Sequence, residues 1–211
     1  MKLQVHIFVL GPLATNCYLL RWGKECWVVD PSLWPEELLK FLRTAGAAPG
    51  RILLTHGHGD HIAGVGALKA AYPAARLCCP AADAGMLTDP VANVSATFGL
   101  SLSSPPADEL LRPGQTLEAG GLTWQVLDTS GHTPGGVSFH CAEAGVVLTG
   151  DALFDQGIGR TDIPGADEER LLANIRGNLL TLPEGTRVLP GHGAETTIGE
   201  QRTNNPFLRG V

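Results

Sequence analysis

Four side chains able to hold a metal ion stand within six consecutive residues, His56-Gly57-His58-Gly59-Asp60-His61, and three of the chain's seven histidines are among them. The interleaved glycines add no bulk and tolerate backbone angles that other residues avoid. In a short extended piece His56 and His58 share a side, because strand side chains repeat every two residues. A turn then lets Asp60 and His61 approach the same point from another direction. Three further stretches each carry one such side chain beside glycine: Gly131-His132-Thr133-Pro134-Gly135, Thr149-Gly150-Asp151 and Pro190-Gly191-His192-Gly193. Together His56, His58, Asp60, His61, His132, Asp151 and His192 give five imidazoles and two carboxylates, an inventory that suits two adjacent divalent ions. Zinc, iron and manganese all accept such donors, with zinc the first expectation. With two aspartates and one bridging hydroxide the centre would carry a charge of about +1, enough to lower the pKa of water and stabilise an oxyanion. That chemistry suits attack on a carbonyl carbon and needs no protein nucleophile.

These residues must be positioned by the elements around them. The apolar run Arg51-Ile52-Leu53-Leu54 predicts a strand and residues 62–72 a helix, so the histidine cluster occupies a strand-to-helix loop. Strand character also marks 3–9, 16–21, 26–29, 76–79, 115–118, 122–128, 136–141, 146–149 and 188–189, with glycine turns between them. Helices are predicted over 34–44, which has glutamates at its start and Arg43 near its end, over 167–180, and in a short tail after His192. Residues 81–112 are the least readable; Met86, Phe98 and Leu100 either belong to the core, the default, or line a substrate cleft. Asp30, ahead of Pro31, reads equally as a turn former or as an acceptor for the second ring nitrogen of a ligand histidine. His6 and His140 are expected at an edge or surface, and Cys17, inside a strand, in a structural role. Two runs of strands, each followed by helices, predict an α+β fold of two sheets packed face to face with helices outside, in a single domain spanning 1–211.

Composition excludes other classes. A hydrophobic content of 44% over 211 residues is enough for one well-buried domain. A net charge of −6 without any Lys/Arg run argues against nucleic acid as a partner. No apolar run approaches the ~20 residues needed to span a membrane. The stretch 7–14 has the hydropathy of a signal-peptide core, but Gln4, His6 and the lack of a small-residue cleavage site argue against one. Five cysteines, Cys17, Cys26, Cys78, Cys79 and Cys141, form no CxxC pair and are odd in number, which predicts free, mostly buried thiols in a reducing cytoplasm.

The H-x-H-x-D-H loop with the later His132, Asp151 and His192 resembles the metallo-β-lactamase superfamily. Gly157-Ile158-Gly159-Arg160-Thr161-Asp162-Ile163-Pro164 and the ending with Asn205-Pro206-Phe207-Leu208 are similar to its short, glyoxalase II-like bacterial hydrolases. The resemblance implies an αββα sandwich with metals at one edge. It implies His56, His58 and His132 on one ion, Asp60, His61 and His192 on the other, and Asp151 bridging both. It further implies hydrolysis of glutathione thioesters such as S-D-lactoylglutathione by a metal-bridging hydroxide, with Asp60 and Asp151 as catalytic ligands. An anionic thioester calls for a cation, and Arg160 is the first candidate for its carboxylate. A structural contact of Arg160 with Asp162 or Asp151 is the alternative, and Arg202 is a second candidate. The longer glyoxalase II enzymes carry a C-terminal helical domain that supplies much of the glutathione site; this sequence ends shortly after His192, which predicts either looser recognition or a different thioester as substrate. Rival readings within the resemblance are a mononuclear iron persulfide dioxygenase and lactonase or β-lactamase hydrolysis, and outside it a non-catalytic metal-binding protein. Neither the physiological substrate nor the oligomeric state is written in these motifs.

Overall fold

In the computed structural model, which describes residues 2–209, the apolar runs between glycine turns become two six-stranded sheets. Two units are distinct, one up to Leu110 and one from Leu111 onwards. The first sheet has the order β1 (Gln4–Leu10), β2 (Thr15–Trp22), β3 (Glu25–Val29), β4 (Ala48–Leu53), β5 (Arg76–Pro80) and β6 (Glu109–Leu111). Strands β1, β2 and β3 are antiparallel neighbours, whereas β3, β4 and β5 run parallel. Consequently β1, β3, β4 and β5 all end at the edge where β2 begins. The segments that leave or enter the sheet there are brought together: Thr15, Asp30 and the histidine loop.

Helix α1 (Glu36–Thr44) returns over this sheet with Leu38 and Leu42 fully buried against Phe8, Leu19, Val28 and Ile52. Burying each leucine contributes about 1.5–3 kcal/mol. Gly46, at φ 57°, closes the helix by donating to the Arg43 carbonyl, the left-handed stop that glycine adopts without strain. Trp34 lies outside this helix at φ 60° and is 63% exposed, so the helix begins two residues later than the sequence predicts. The helix predicted over 62–72 starts earlier and breaks into α2 (Gly59–Ile62) and α3 (Val65–Ala71). Gly64 forces the break: its N–H donates to the Pro31 carbonyl at 2.8 Å, and a Cβ there would collide with the Ser32 carbonyl.

Past β5 the hard-to-read stretch forms two 3₁₀ turns, Ala81–Thr88 and Ser95–Phe98. Met86 is buried as expected, but Phe98 is 58% and Leu100 42% exposed, which corrects their default assignment to the core. They follow Val94 in a left-handed turn that Gly99 then reverses, so neither residue returns to the sheet.

The second sheet has the order β14 (Thr196–Thr197), β13 (Arg187–Pro190), β10 (Val146–Gly150), β9 (Val137–Cys141), β8 (Leu122–Asp128) and β7 (Thr116–Ala119). Strands β8, β10 and β13 run in one direction, so their C-terminal ends share an edge. A hairpin of β11 (Leu153–Phe154) and β12 (Gly157–Ile158) stands apart; it and β14 are too short for a period-two signal. Helix α4 (Glu168–Asn174) is capped by the Asp167 side chain and continues as a π turn to Leu179, and α5 (Ile198–Asn204) opens on a Thr197–Glu200 capping box. Leu171, Ile175, Leu179 and Ile198 form a core with Val147 and Val188.

His140 corrects its sequence assignment. It is 5% exposed in β9, with strands on both sides, and its Nδ1 lies 3.2 Å from Gln125 Oε1. Burial pushes its pKa below the ordinary histidine value. His6 is on the edge strand β1 as expected, its ring 4.8 Å from that of Phe41. All five cysteines are free and buried. Among the described residues no helix is long and apolar enough to cross a membrane.

Candidate metal centre

In the first unit Leu53 ends β4, and Thr55 to His61 pass through the loop into α2, so Asp60 and His61 stand on a helical turn. Two buried carboxylates from outside the loop hold it in shape. Asp83 accepts a hydrogen bond from Gly57 N–H at 3.0 Å, and Gly57 itself has no room for a Cβ, which would lie 2.8 Å from that of Met86. Asp30, 1% exposed and at φ 51° just past β3, accepts from Thr55 N–H at 2.8 Å and from the Thr55 hydroxyl at 2.6 Å. The same carboxylate lies 3.0 Å from His61 Nδ1. Both roles considered for Asp30 are thus realised in one residue: it turns the chain and it holds a histidine. Asp60 is held in turn by Thr15, whose hydroxyl donates to Oδ2 at 3.0 Å across the sheet edge.

In the second unit three loops at the common edge of β8, β10 and β13 present His132, Asp151 and His192. His132 Nδ1 donates to the Arg160 carbonyl at 2.8 Å. Asp151 Oδ2 stands between the other two, 3.6 Å from His132 Nε2 and 3.5 Å from His192 Nε2. Gly159 lets the strand after Asp151 close over this group: a Cβ at 159 would overlap the Asp151 carbonyl oxygen and lie 3.0 Å from the His132 ring. The Phe154 ring is 6.2 Å from that of His192.

Hydrogen bonding at Nδ1 decides what these rings offer. An Nδ1–H given to Asp30 or to the Arg160 carbonyl leaves a lone pair on Nε2 of His61 and His132. Those lone pairs face carboxylate oxygens at 3.5 Å for His61 and Asp60 and at 3.6 Å for His132 and Asp151. Two acceptors at such a distance repel, and the gap is too long for a shared proton. It matches two ligands of one ion, since donors about 2.0–2.1 Å from a tetrahedral zinc lie roughly 3.4 Å apart. The donor set therefore fits a metal centre.

Arg160 makes the contact with Asp162 that was named beside its substrate-binding role. Its guanidinium pairs with Asp162 through Nε at 2.7 Å and Nη2 at 2.9 Å, in the open, while its backbone carbonyl orients His132. The carbonyl's part was invisible in the sequence, because a main-chain acceptor leaves no residue-type signal. Arg202 is engaged elsewhere, with Glu184 and the carbonyls of Leu180 and Leu182. Cys17 is fully buried in β2 and burial pushes its thiol pKa up, as a structural role requires.

Comparison with known proteins gives this geometry a lineage. The model of the metallo-β-lactamase superfamily matches residues 10–192. A probable metallo-hydrolase of Bacillus subtilis, YqgX, is 37% identical over 202 residues, 95% of each chain. The hydroxyacylglutathione hydrolase GloC of Haemophilus influenzae is 33% identical over 98% of each chain. Among solved structures, BLEG-1 B3 metallo-β-lactamase aligns with a TM-score of 0.94 at 40% identity, over 98% of this chain and all of that one. TTHA1623 in a di-iron-bound form aligns at 0.87 with 38% identity, over 96% of this chain and all of that one. The fold is the α+β metallo-β-lactamase fold expected from the sequence, and the chain belongs to the metallo-β-lactamase superfamily.

Proposed function

We propose that this chain is a metallo-hydrolase of thioesters, with S-D-lactoylglutathione and similar glutathione thioesters as its substrate class. By the ligand pattern of the superfamily, His56, His58 and His132 are assigned to one divalent ion and Asp60, His61 and His192 to the other, with Asp151 shared between them. The observation that carries the metal reading is the pair of Nε2 lone pairs, on His61 and His132, directed at Asp60 and Asp151. Two ions are supported by the di-iron form of TTHA1623, and the thioester by the likeness to GloC. Because the family match runs through both units, they are assigned to a single domain over 1–211, working in the cytoplasm as its free thiols suggest.

Divalent ions so held would lower the pKa of water toward neutrality and stabilise negative charge on a carbonyl oxygen. The protein's share is positional: Asp30, Thr15 and the Arg160 carbonyl fix the ligands before any ion arrives, so little reorganisation remains. Thiolates leave readily because thiols have modest pKa values, and no general acid is required. Arg160 is assigned to receive a glutathione carboxylate by exchanging Asp162, a weakly held partner because the pair is solvent-exposed. A second hydrolytic reading, β-lactam opening, is favoured by the 40% identity to BLEG-1.

The test is elemental analysis of purified protein together with thiol release from S-D-lactoylglutathione and, in parallel, hydrolysis of a chromogenic β-lactam. Two zinc, iron or manganese ions per chain and thioester turnover are expected, and Asp60→Ala should lose one ion and most activity. β-Lactam turnover alone would replace the thioester reading. Oxygen uptake with glutathione persulfide in a one-iron sample, or an Asp60→Ala variant as active as the parent, would end it.

A further inference from the structure

We infer that the Thr55 hydroxyl is a positioning residue for the metal centre, fixing the tautomer of His56 and tying it to the carboxylate that holds His61. The inference rests on the metal reading above. Thr55 Oγ1 carries one proton, and its partner at 2.6 Å is Asp30 Oδ2, a carboxylate oxygen that only accepts. The proton therefore goes to Asp30. His56 Nδ1 lies 3.0 Å from the same hydroxyl, and with the hydroxyl proton committed, the ring must be the donor. His56 is thereby held as the Nδ1–H tautomer, with its lone pair on Nε2. Asp30 Oδ2 is also the atom 3.0 Å from His61 Nδ1, so one oxygen orders two rings assigned to different ions, one directly and one through the threonine.

The rest of the setting makes the relay rigid. Thr55 is 2% exposed, Asp30 1%, His56 2% and His61 0%, so water does not compete for these bonds. Thr55 N–H is held by the other oxygen of Asp30 at 2.8 Å, which fixes the backbone from which the hydroxyl projects. The two ring centroids of His56 and His61 are 4.2 Å apart, so a disordered His56 would also disturb its neighbour sterically. Loss of a group that orients a ligand histidine typically weakens metal binding about 10–100-fold. Thr55 should therefore act on the His56 ion, and Asp30 on both.

The experiment measures zinc binding by competition with a chromophoric chelator, on wild type, Thr55→Val, Thr55→Ser and Asp30→Asn, with thermal melts of each metal-free protein. Thr55→Val keeps the shape and removes the hydroxyl; it should weaken one of the two ions about 10–100-fold and spare the other. Thr55→Ser restores the hydroxyl and should bind as wild type, which separates hydrogen bonding from packing of the methyl group. Asp30→Asn should weaken both ions. Long-range ¹H–¹⁵N spectra of the wild-type imidazoles supply a readout that needs no variant: His56 should appear as the Nδ1–H tautomer. Wild-type affinity in Thr55→Val, equal losses in Thr55→Val and Thr55→Ser, or an Nε2–H tautomer at His56 would overturn the inference while the two-metal reading stands. A wild type that binds fewer than two ions would remove that reading and this inference with it.

Discussion

Gly159→Ala should both destabilise this chain's second unit and disturb its metal ligands, and its neighbour two residues away supplies the control. The new Cβ would overlap the Asp151 carbonyl oxygen and press on the His132 ring at 3.0 Å. Both obstacles are constrained, since one is backbone and the other is a ring held by the Arg160 carbonyl. Overpacking costs about 1–3 kcal/mol where side chains can give way, and here the strand itself must retreat, so the upper end applies, about 3 kcal/mol. For a chain of this length each kcal/mol shifts Tm by about 2–4 °C, which gives a fall of about 6–12 °C. Retreat of the strand also draws the Arg160 carbonyl from His132 Nδ1, which should weaken metal binding about 10–100-fold. In Gly157→Ala, by contrast, the new methyl meets Phe154 Cβ at an ordinary 3.7 Å, and the change should stay within about 0.5 kcal/mol. Thermal melts of both metal-free variants and chelator-competition titrations decide the matter. Equal Tm values for the two variants, or unaltered zinc affinity in Gly159→Ala, would refute the claim that the strand after Asp151 is seated against the metal ligands.

Leu42→Ala, in the buried face of α1, should cost about 2–5 kcal/mol, read as a lower denaturation midpoint at constant slope; a loss under 1 kcal/mol would mean that the helix is loosely seated. The thiols should be silent in the folded protein. Burial pushes Cys26, Cys78 and Cys141 to about 11 and moves Cys17 and Cys79 upward as well, so at pH 8 a disulfide reagent should find none of the five until denaturant is added. Rapid reaction of even one thiol in the native state would contradict the burial. The same shifts set an alkaline limit: because the folded pKa values lie above the ordinary 9.0, their contribution is complete below pH 9 and is lost as pH rises from 9 through about 11. Urea midpoints across that window should fall, and a flat profile would count against it.

The ligand inventory was legible because metal chemistry is written in residue types: the loop from His56 to His61 with His132, Asp151 and His192 announces itself by histidine and aspartate beside glycine. The long strands were legible because burial on a pleated sheet imposes a local alternation, and β8 (Leu122–Asp128) has the bounds the sequence predicts. What the sequence could not decide depends on partners far along the chain. Residue type alone left Asp30 between two roles until β3 and β4 were side by side and His61, 31 positions on, came within 3.0 Å. Arg160 drew attention for its guanidinium, yet the atom that touches a ligand histidine is its main-chain oxygen, a group every residue possesses. His140 looked like an edge residue and is interior because β8 and β10 flank β9. Phe98 and Leu100 looked like core and are exposed because two left-handed residues turn them outward. Composition and spacing determined which side chains could bind metal and which runs would be strands. Only the tertiary structure decided which hydrogen bond each ring makes, and hence which nitrogen it offers, because a tautomer is chosen by a neighbour in space.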